Sequence, residues 1–447
     1  MDASTIKAYD KPVPRYTSYP TAAQFDTSVG PARHANWLAD LAGERAVLYL
    51  HVPFCRELCF YCACNTGVVR QAGTLDTYAQ ALVGELEQVA GLAPGLRIEG
   101  VQWGGGTPSQ LGSQRLLTVA SRLRALLDAG ALREMSMEID PRFCDDDVVE
   151  AMAEVGVTRA SLGVQDFDEA VQRAINRFQS FESTAVVIDR LRGSGIRHVN
   201  IDLVYGLPSQ TLESLSDTLG RAVALDADRF AVFAYAHVPW MKPRQKLIDE
   251  ATLPRAALRA EMAALVSQRL TAAGYVKLGL DHYARGDDAL AIAASERRLR
   301  RSFQGYVADD SPWVVGVGAS AISSLPRGYV QNASRTAAYM DAVARPGLAT
   351  ARGIAWSPAD RVRGAIISDL MCHFDVDLEA ICRRHGQEPR LLLADVKGLP
   401  SLVADGLVRL EGARLVVTDR GRPLVRSVCA AFDQHYTGAE GRHARGI

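Results

Sequence analysis

The sequence predicts an α/β fold: an incomplete (β/α)6 barrel of the TIM type with an N-terminal arm and a mostly helical, winged-helix-like C-terminal domain. Three observations lead to it. Short apolar runs alternate with amphipathic helical segments, polar residues follow the same end of each run, and the pattern changes beyond Pro358. We therefore divide the chain into an arm at 1–30, a catalytic barrel at 31–357 and a C-terminal domain at 358–447.

The composition indicates a protein with a full core and no excess of charge. Of 447 residues, 48% are hydrophobic and 23% are charged, and the net charge is −1. The hydrophobic share excludes global disorder, and the charge balance argues against a nucleic-acid partner, which usually requires a basic excess. No secretory layout and no apolar run of about 18 residues is found. We expect a soluble cytoplasmic protein without a membrane partner, acting as a monomer.

The arm is expected to be extended. Residues 9–20 hold three prolines, three tyrosines and two basic residues. Proline fixes the backbone and lacks an N–H donor, so this stretch cannot form a helix. Two interpretations remain open. The arm either packs on the surface through its tyrosines, or it forms a lid whose Arg15 and tyrosines help to close a site.

Six apolar runs predict buried strands, and the segments between them predict helices. The strands are expected at 46–51, 100–103, 136–139, 160–164, 199–204 and 230–234. In the intervening segments apolar residues recur every three or four positions, which gives each helix one apolar face. These helices are expected at 75–89, 111–127, 147–155, 184–191 and 212–224. Repeated strand–helix units imply a parallel sheet with right-handed crossovers.

Polar residues gather after the strands, at one end of the predicted barrel. They are the cysteine-rich segment 55–64, the segment 104–107, Glu138 and Asp140, Gln165, Asp202, and the segment 235–237. Barrel enzymes place their chemistry at the C-terminal ends of the strands. Scattered surface polarity would not select this end six times, so we expect an active site there.

The segment beyond Pro358 has a different pattern. It predicts helices at 361–372, 378–385 and near 391–404, a hairpin at 406–418 that turns at Glu411-Gly412, and a closing helix at 423–432. Helices followed by a β-wing are typical of winged-helix domains, which often bind DNA. Because no basic recognition helix is present, a structural role in covering the barrel mouth is favoured.

Four of the eight cysteines form the pattern C-x3-C-x2-C-x-C at Cys55, Cys59, Cys62 and Cys64. Three thiolates in a short loop can hold three irons of a [4Fe–4S] cluster and leave the fourth iron open to a methionine-like ligand. Zinc would need two ligand pairs separated by a longer loop. An electron-transfer cluster with Cys64 as the fourth ligand is an open alternative, although a C-x-C pair would strain to reach it. The remaining cysteines are expected to be small buried hydrophobes, at Cys144, Cys372, Cys382 and Cys429.

A glycine motif, Gly104-Gly105-Gly106-Thr107-Pro108, follows the second predicted strand. Glycines there let the backbone approach the amino group of a ligand. Together with the cysteine loop, this motif resembles the radical S-adenosylmethionine (SAM) superfamily, which implies a radical SAM barrel. The resemblance implies that an electron from the cluster cleaves the sulfonium of SAM and gives a 5′-deoxyadenosyl radical.

Along essentially the whole chain, the sequence is similar to the family of oxygen-independent coproporphyrinogen III oxidases (coproporphyrinogen dehydrogenases). The segments that carry the similarity are 9–21, 49–55, 137–142, 163–167, 202–208, 235–239, 281–285 and 303–306. The family converts two propionates of coproporphyrinogen III to vinyl groups with release of carbon dioxide, giving protoporphyrinogen IX in haem biosynthesis. The resemblance implies abstraction of a propionate β-hydrogen by the radical, and an electron donor of the flavodoxin or ferredoxin type.

The resemblance also implies roles for single residues. It implies a [4Fe–4S] cluster held by Cys55, Cys59 and Cys62, and a first SAM contacted by Tyr49, Gly105, Glu138 and Ile322. It implies a second SAM at Tyr61, Gly106, Thr107, Gln165, Arg177, Asp202 and Ala236. The catalytic and substrate-contacting candidates are Tyr49, His51, Gln304 and Arg15. For His51 two interpretations are open: a neutral, packed ring at a strand end, or a proton carrier near the cluster.

The alternative function is that of a haem-binding chaperone of the radical SAM type. As a family-level expectation, those relatives lack the proline-rich arm and carry an aromatic residue in place of the fourth cysteine. This chain has both the arm and Cys64. The pattern therefore favours the decarboxylating enzyme.

Overall fold

A computed structural model describes residues 3–128, 130, 132–396, 398–438 and 443–445. The strands are β1 (Arg45–Val52), β2 (Arg97–Gly105), β3 (Glu134–Ile139), β4 (Arg159–Gln165), β5 (His198–Tyr205), β6 (Arg229–Ala234), β7 (Val276–Leu278), β8 (His282–Ala284), β9 (Arg300–Ser302), β10 (Gly305–Val307), β11 (Val314–Val317), β12 (Ile322–Leu325), β13 (Gly328–Asn332), β14 (Thr350–Ala355), β15 (Asp375–Asp377), β16 (Val408–Glu411) and β17 (Arg414–Val417). The helices are α1 (Ala3–Tyr9), α2 (Pro31–Ala39), α3 (Thr74–Leu92), α4 (Ser113–Leu126), α5 (Asp146–Val155), α6 (Glu169–Ile175), α7 (Phe181–Gly193), α8 (Leu212–Ala224), α9 (Ala256–Ala272), α10 (Ala289–Ser295), α11 (Thr336–Val343), α12 (Pro358–His373), α13 (Leu378–Arg384), α14 (Pro389–Asp395), α15 (Leu399–Ala404) and α16 (Val425–Phe432).

One twelve-stranded sheet organises the larger part of the chain, in the order β14-β13-β12-β11-β1-β2-β3-β4-β5-β6-β8-β7. Strands β1 to β6 are neighbours in chain order, and each pair is parallel. The predicted α/β fold with a parallel sheet is confirmed. Strand β11 adds a further parallel neighbour on the other side of β1, which the sequence analysis did not predict. In the described ranges the end strands β14 and β7 are not paired with each other, so the sheet is open.

The strands alternate between a face that packs on helices and a face that looks into a cavity. In β5, Val199, Ile201 and Leu203 are fully buried in the main core, whereas Asn200 and Asp202 between them line the cavity. This alternation follows from the two-residue period of a strand. Because residues of β1 to β6 and β8 all line the same cavity, the sheet must curve around it.

Ion pairs border the amino-terminal ends of the strands. Arg159 Nε lies 3.0 Å from Glu134 Oε2, and Arg229 Nε lies 2.8 Å from Asp288 Oδ2. All but Glu134 are almost completely buried. The charges at this end of the cavity are thus largely compensated within the protein.

The six predicted strands differ from β1 to β6 by at most three residues at either end, and the helix predicted at 212–224 is α8. The single helix predicted near 391–404 is wrong, because this stretch forms α14 and α15 as two helices. Pro400 explains the break: it stands in the first turn of α15, where its missing N–H and its ring are tolerated, but inside a longer helix it would remove a hydrogen bond. The predicted hairpin is formed by β16 and β17, and the closing helix begins with a 3-10 turn before α16.

A second hydrophobic core lies among α12, α13, α16 and the small sheet β15-β17-β16. Tyr16 and Tyr19 of the arm are part of this core. The Tyr16 hydroxyl donates to Asp433 Oδ2 at 3.0 Å, and the Tyr436 hydroxyl donates to the Pro12 carbonyl oxygen at 2.8 Å. Residues 10–20 contain no helix, as expected, although Tyr9 is the last residue of α1. The tyrosines of this stretch hold it against the C-terminal segment.

Four cysteines that we expected to be buried hydrophobes, Cys144, Cys372, Cys382 and Cys429, are all buried. Within the described ranges, no helix is both long and apolar enough to cross a membrane.

Candidate active site

A cavity of about 1090 Å³ lies inside the curved sheet. Eight of the residues predicted for the site line it: Arg15, Tyr61, Cys62, Glu138, Gln165, Asp202, Ala236 and Gln304. The others do not line it directly; they are Tyr49, His51, Cys55, Cys59, Gly105, Gly106, Thr107, Arg177 and Ile322. The carboxyl ends of the parallel strands therefore bring together residues that are far apart in the chain.

The loop after β1 carries the cysteines, and backbone hydrogen bonds fix where it begins. The Cys55 N–H donates to the Gly67 carbonyl at 3.0 Å, and the Gly67 N–H donates to the Pro53 carbonyl at 2.9 Å. The Cys55 Sγ atom lies 3.0 Å from Thr66 Oγ1 and 3.7 Å from Thr107 Oγ1. Two hydroxyls can thus donate to this sulfur.

Cys59 is buried beside an arginine. Arg177 Nη1 lies 3.5 Å from Cys59 Sγ and 3.0 Å from Asp140 Oδ2, and Arg177 Nη2 lies 3.1 Å from Asp140 Oδ1. Although burial acts to raise the pKa of Asp140, hydrogen bonds from Arg142 and the charge of Arg177 hold that pKa below its ordinary value. A positive charge next to a thiol favours the thiolate, which is the form that binds iron.

The loop's donor set fits an iron–sulfur cluster. The Cys64 N–H donates to Cys62 Sγ at 3.4 Å, so the sulfurs of Cys55, Cys59 and Cys62 all accept from nearby donors, and all four thiols of the loop are free. Hydrogen bonds to the sulfurs are one means by which proteins tune such clusters.

The glycine segment after β2 packs so closely that side chains would collide. A Cβ on Gly105, whose φ is +109°, would lie 2.4 Å from the His51 ring. A Cβ on Gly104 would lie 2.7 Å from Glu138 Oε1, and one on Gly106 would lie 2.7 Å from the Phe54 carbonyl oxygen. Close contacts therefore favour glycine at all three positions, and at Gly105 the positive φ favours it as well.

Two acids face the cavity from neighbouring parts of the sheet. Glu138 on β3 accepts a hydrogen bond from the Gly105 N–H at 3.0 Å. Burial and the charge of Asp202 raise the pKa of Glu138 to about 7. Burial also raises the pKa of Asp202, although Asn200 and Ser161 donate to it at 2.8 and 3.1 Å. A ligand that brings a cationic amino group or hydroxyl donors would stabilise both carboxylates.

His51 is held as a neutral ring. Its Nε2 lies 3.1 Å from the Asn65 carbonyl oxygen, and its Nδ1 lies 3.0 Å from the Tyr49 hydroxyl. Burial lowers the pKa of His51 to about 4. Because a carbonyl can only accept, Nε2 carries the proton and Nδ1 accepts from Tyr49. Of the two interpretations of His51, this geometry favours the packed, neutral ring.

The fully buried Gln245 joins two segments of the predicted second SAM site, and the sequence analysis missed it. Its Nε2 donates to the carbonyl oxygens of Tyr61 at 2.7 Å and Ala236 at 3.1 Å, and its Oε1 accepts from the Val238 N–H at 2.6 Å. Gln245 lies in a short 3-10 turn that has no motif. Nothing in the sequence indicated its role.

The remaining candidates come from three separate elements. Arg15 reaches the cavity from the arm and donates to the Ala234 carbonyl at 3.0 Å. Gln304 lies in the turn between β9 and β10, and its buried Nε2 has no hydrogen-bond partner among the described residues. Ile322 is the first residue of β12. Gly316 of the neighbouring strand β11 has no side chain, which lets β11 and β12 approach closely at this point.

Comparison with known proteins assigns the chain in two steps. Residues 49–222 match the radical SAM superfamily, and residues 356–424 match the HemN C-terminal domain. The first match spans the cysteine loop and the glycine segment, and it defines the class: this is a radical SAM protein. Relatives and a solved structure then narrow the class to one family.

The chain is 47% identical to the oxygen-independent coproporphyrinogen III oxidase of Bradyrhizobium diazoefficiens, with both chains covered completely. It is 41% identical to that of Paracoccus denitrificans, covering 98% of this chain and 97% of the relative. The structure of coproporphyrinogen III oxidase (HemN) from Escherichia coli, described as a radical SAM enzyme, is 37% identical, with a TM-score of 0.91 over 97% of this chain and 99% of that one. The chain belongs to the oxygen-independent coproporphyrinogen III oxidase family.

The close packing at Gly105 leads to a test. Gly105→Ala should lower the free energy of unfolding by about 1–3 kcal/mol, as overpacking does, and it should weaken SAM binding roughly tenfold or more. The His51 ring must move to admit the new methyl group. Urea unfolding and equilibrium dialysis with SAM measure the two effects.

Gly67→Ala is the matched control, because it lies in the same region and nothing lies within 4 Å of its Cβ position. If both variants unfold at the same urea concentration and bind SAM equally, the glycine segment is not under the constraint described.

Proposed function

We propose that this protein catalyses the oxygen-independent oxidative decarboxylation of coproporphyrinogen III, converting two propionates to vinyl groups and giving protoporphyrinogen IX in haem biosynthesis. The full-length match to oxidases of that name carries the proposal, because it covers the arm, the sheet and the C-terminal domain together. A haem-binding chaperone is not favoured, since the full-length relatives are named as oxidases.

Membership of the radical SAM class implies a [4Fe–4S] cluster and SAM. Bound together, they would supply an electron and a 5′-deoxyadenosyl radical that removes a hydrogen atom from a propionate. Loss of carbon dioxide from that propionate leaves one electron, which passes to an acceptor that is not part of this chain. We propose that Cys55, Cys59 and Cys62 hold the cluster. Around them, Thr107, Arg177 and the Cys64 N–H donate to the three sulfurs and keep the loop in place.

Tyr49, Gly105, Glu138 and Ile322 are proposed to contact the SAM that binds the cluster. The glycine segment admits a ligand close to the backbone, and the Glu138 carboxylate beside it can accept from an amino group. His51 accepts a hydrogen bond from the Tyr49 hydroxyl and so fixes the Tyr49 side chain at this proposed site. We therefore assign His51 a positioning role.

A second SAM is proposed to bind at Tyr61, Gly106, Thr107, Gln165, Arg177, Asp202 and Ala236. Gln245 supports this site by holding the backbone at positions 61 and 236 together. Asp202 faces the cavity and suits ribose hydroxyls or an amino group. The terminal nitrogens of Arg177 already donate hydrogen bonds to Asp140, Cys59 and the Gly163 carbonyl oxygen. Arg177 would therefore act on the ligand mainly through its charge.

The macrocycle is proposed to occupy the large cavity, with Gln304 and Arg15 as substrate contacts. Its volume, about 1090 Å³, suits a large ligand, and the buried Gln304 Nε2, which has no hydrogen-bond partner among the described residues, can donate to a carboxylate. The sheet and the arm enclose the site, which protects a radical reaction from water.

The electron donor is proposed to be a flavodoxin- or ferredoxin-type protein. Met241 and Lys242 line the same cavity as Cys62, and Trp240 and Met241 are more than half exposed. An exposed apolar patch with a basic neighbour suits an acidic electron-transfer protein. We also propose a cytoplasmic monomer; the free thiols of all eight cysteines are what a reducing cytosol favours.

An anaerobic assay tests the function. Reconstituted protein with SAM, a reductant and coproporphyrinogen III should yield protoporphyrinogen IX and 5′-deoxyadenosine. Chromatography measures both products. Stoichiometric haem binding without any turnover would instead support a chaperone.

Two cysteine variants test the cluster ligands. Cys62→Ser should abolish the iron–sulfur absorption at about 400 nm that thiolate-bound clusters show. Cys64→Ser should keep most of it, because Cys64 supports Cys62 through its backbone N–H, which serine retains. Loss of the absorption in the Cys64 variant alone would overturn the assignment.

The second SAM site is tested by binding stoichiometry. Equilibrium dialysis of the reconstituted protein should give two SAM per chain, and Asp202→Asn should reduce this to one by removing a charge that the ligand would meet. Asp310→Asn, which makes the same change on an exposed acid at the other end of the cavity, is the control and should leave two. One SAM per wild-type chain would refute the second site.

A further inference from the structure

A second cavity, of about 490 Å³, adjoins the large one. It lies on the helix-facing side of β6, between α9 and the beginning of α16. Three residues, Arg15, Phe233 and Ala234, line both cavities, so only this wall separates them. We call the smaller space the arginine cavity.

Basic side chains dominate the arginine cavity. Six of them line it: Arg15, Arg259, Lys277, Arg301, Arg422 and Arg426. Among the described residues of the lining the single acid is Asp281, which His282 Nδ1 contacts at 2.8 Å and Arg301 Nη1 approaches at 3.5 Å. Arg422 has a partner outside the lining, Asp419 at 3.3 Å. One carboxylate cannot compensate the other basic groups, so the described part of the lining carries a net positive charge.

The arginines are bound mostly to backbone carbonyls, which are neutral acceptors. Arg15 donates to the Ala234 carbonyl oxygen at 3.0 Å, and Arg259 donates to the Tyr235 carbonyl oxygen at 3.2 Å. The Arg301 side chain is only 6% exposed, yet its Nε has no hydrogen-bond partner among the described residues, and neither has Arg259 Nε. Donor capacity is therefore left unused.

Burying guanidinium groups without carboxylates is unfavourable. Burial, followed by the charges of Arg15 and Arg259, lowers the pKa of Arg426 to about 10. Burial likewise lowers the pKa of Arg259 and Arg15. Burial is the largest cause in all three cases, and the charge of a neighbouring arginine adds to it. An anion between these groups would offset part of this unfavourable burial.

We propose that the arginine cavity binds the carboxylates of the two substrate propionates that are not converted. This inference rests on the proposed function. Coproporphyrinogen III carries four propionates, and two of them remain carboxylates through the whole reaction. Guanidinium groups match carboxylates in charge and in hydrogen-bond geometry.

The position of the cavity suits this role. A macrocycle in the large cavity can reach across Arg15 and Ala234 with side chains on one edge. A ligand held through these two carboxylates would be fixed in one orientation in the large cavity, which Tyr61, Cys62 and Glu138 also line.

Porphyrin binding tests the proposal without turnover. Coproporphyrin III has all four propionates, whereas mesoporphyrin IX keeps only the two that are not converted and has ethyl groups in place of the others. Arg259→Gln and Arg301→Gln should weaken the binding of both porphyrins by the same factor, roughly tenfold or more, measured by fluorescence titration. Arg301→Lys, which keeps the charge, should restore part of the affinity.

Arg255→Gln is the matched control. It removes an exposed arginine at the start of the same helix, one turn before Arg259 and outside the cavity. Affinities of the cavity variants equal to that of the control would overturn the proposal. So would a loss confined to coproporphyrin III, because it would mean that these arginines bind the reacting propionates.

Steady-state kinetics separate this inference from the proposed function. With coproporphyrinogen III the cavity variants should raise KM with little change in kcat, while the 400 nm absorption and SAM binding stay at the wild-type level. Wild-type protein that never decarboxylates would refute the proposed function, whereas active variants with wild-type KM would refute the arginine cavity alone. Because Arg259 is only partly buried, Arg259→Gln carries the test if Arg301→Gln does not fold.

Discussion

The close approach of the glycine segment to the end of β1 is the constraint on which the site depends. The Gly106 N–H donates to the Val52 carbonyl at 2.8 Å, and the Thr107 N–H donates to the Phe54 carbonyl at 2.7 Å. The Gly105 N–H donates to Glu138 on β3. One backbone segment therefore fixes the start of the cysteine loop, the His51 ring and a cavity acid together, which is why three successive glycines are needed.

The two cavities offer a ligand local charge, whereas the chain as a whole carries almost none. A net charge of −1 provides no overall field for a polyanionic substrate. Instead, the cavity holds Glu138 and Asp202 beneath the cysteine loop, and the neighbouring cavity holds arginines. Because both groups are buried, water screens them weakly, and a few side chains can orient a ligand with four carboxylates.

The arm connects the two hydrophobic cores to the site. Its prolines keep it extended, and Tyr16 and Tyr19 anchor it in the C-terminal core. Arg15, directly before Tyr16, reaches the wall shared by the two cavities. The two interpretations of the arm therefore combine, since the tyrosines that pack it are also what holds its arginine over the site.

The sequence by itself determined the features that depend on local pattern: strands β1 to β6, helices such as α8, the cysteine loop and the glycine segment. It did not reveal β11 to β14, whose short runs show little periodicity. Nor did it reveal Gln245, which contacts a backbone 184 positions away, or the arginine cavity, whose members come from the arm, α9, β9 and α16. Only the tertiary structure decided these features, because each depends on contacts between residues that are far apart in the chain. The neutral state of the His51 ring likewise depends on its burial, which the sequence alone does not show.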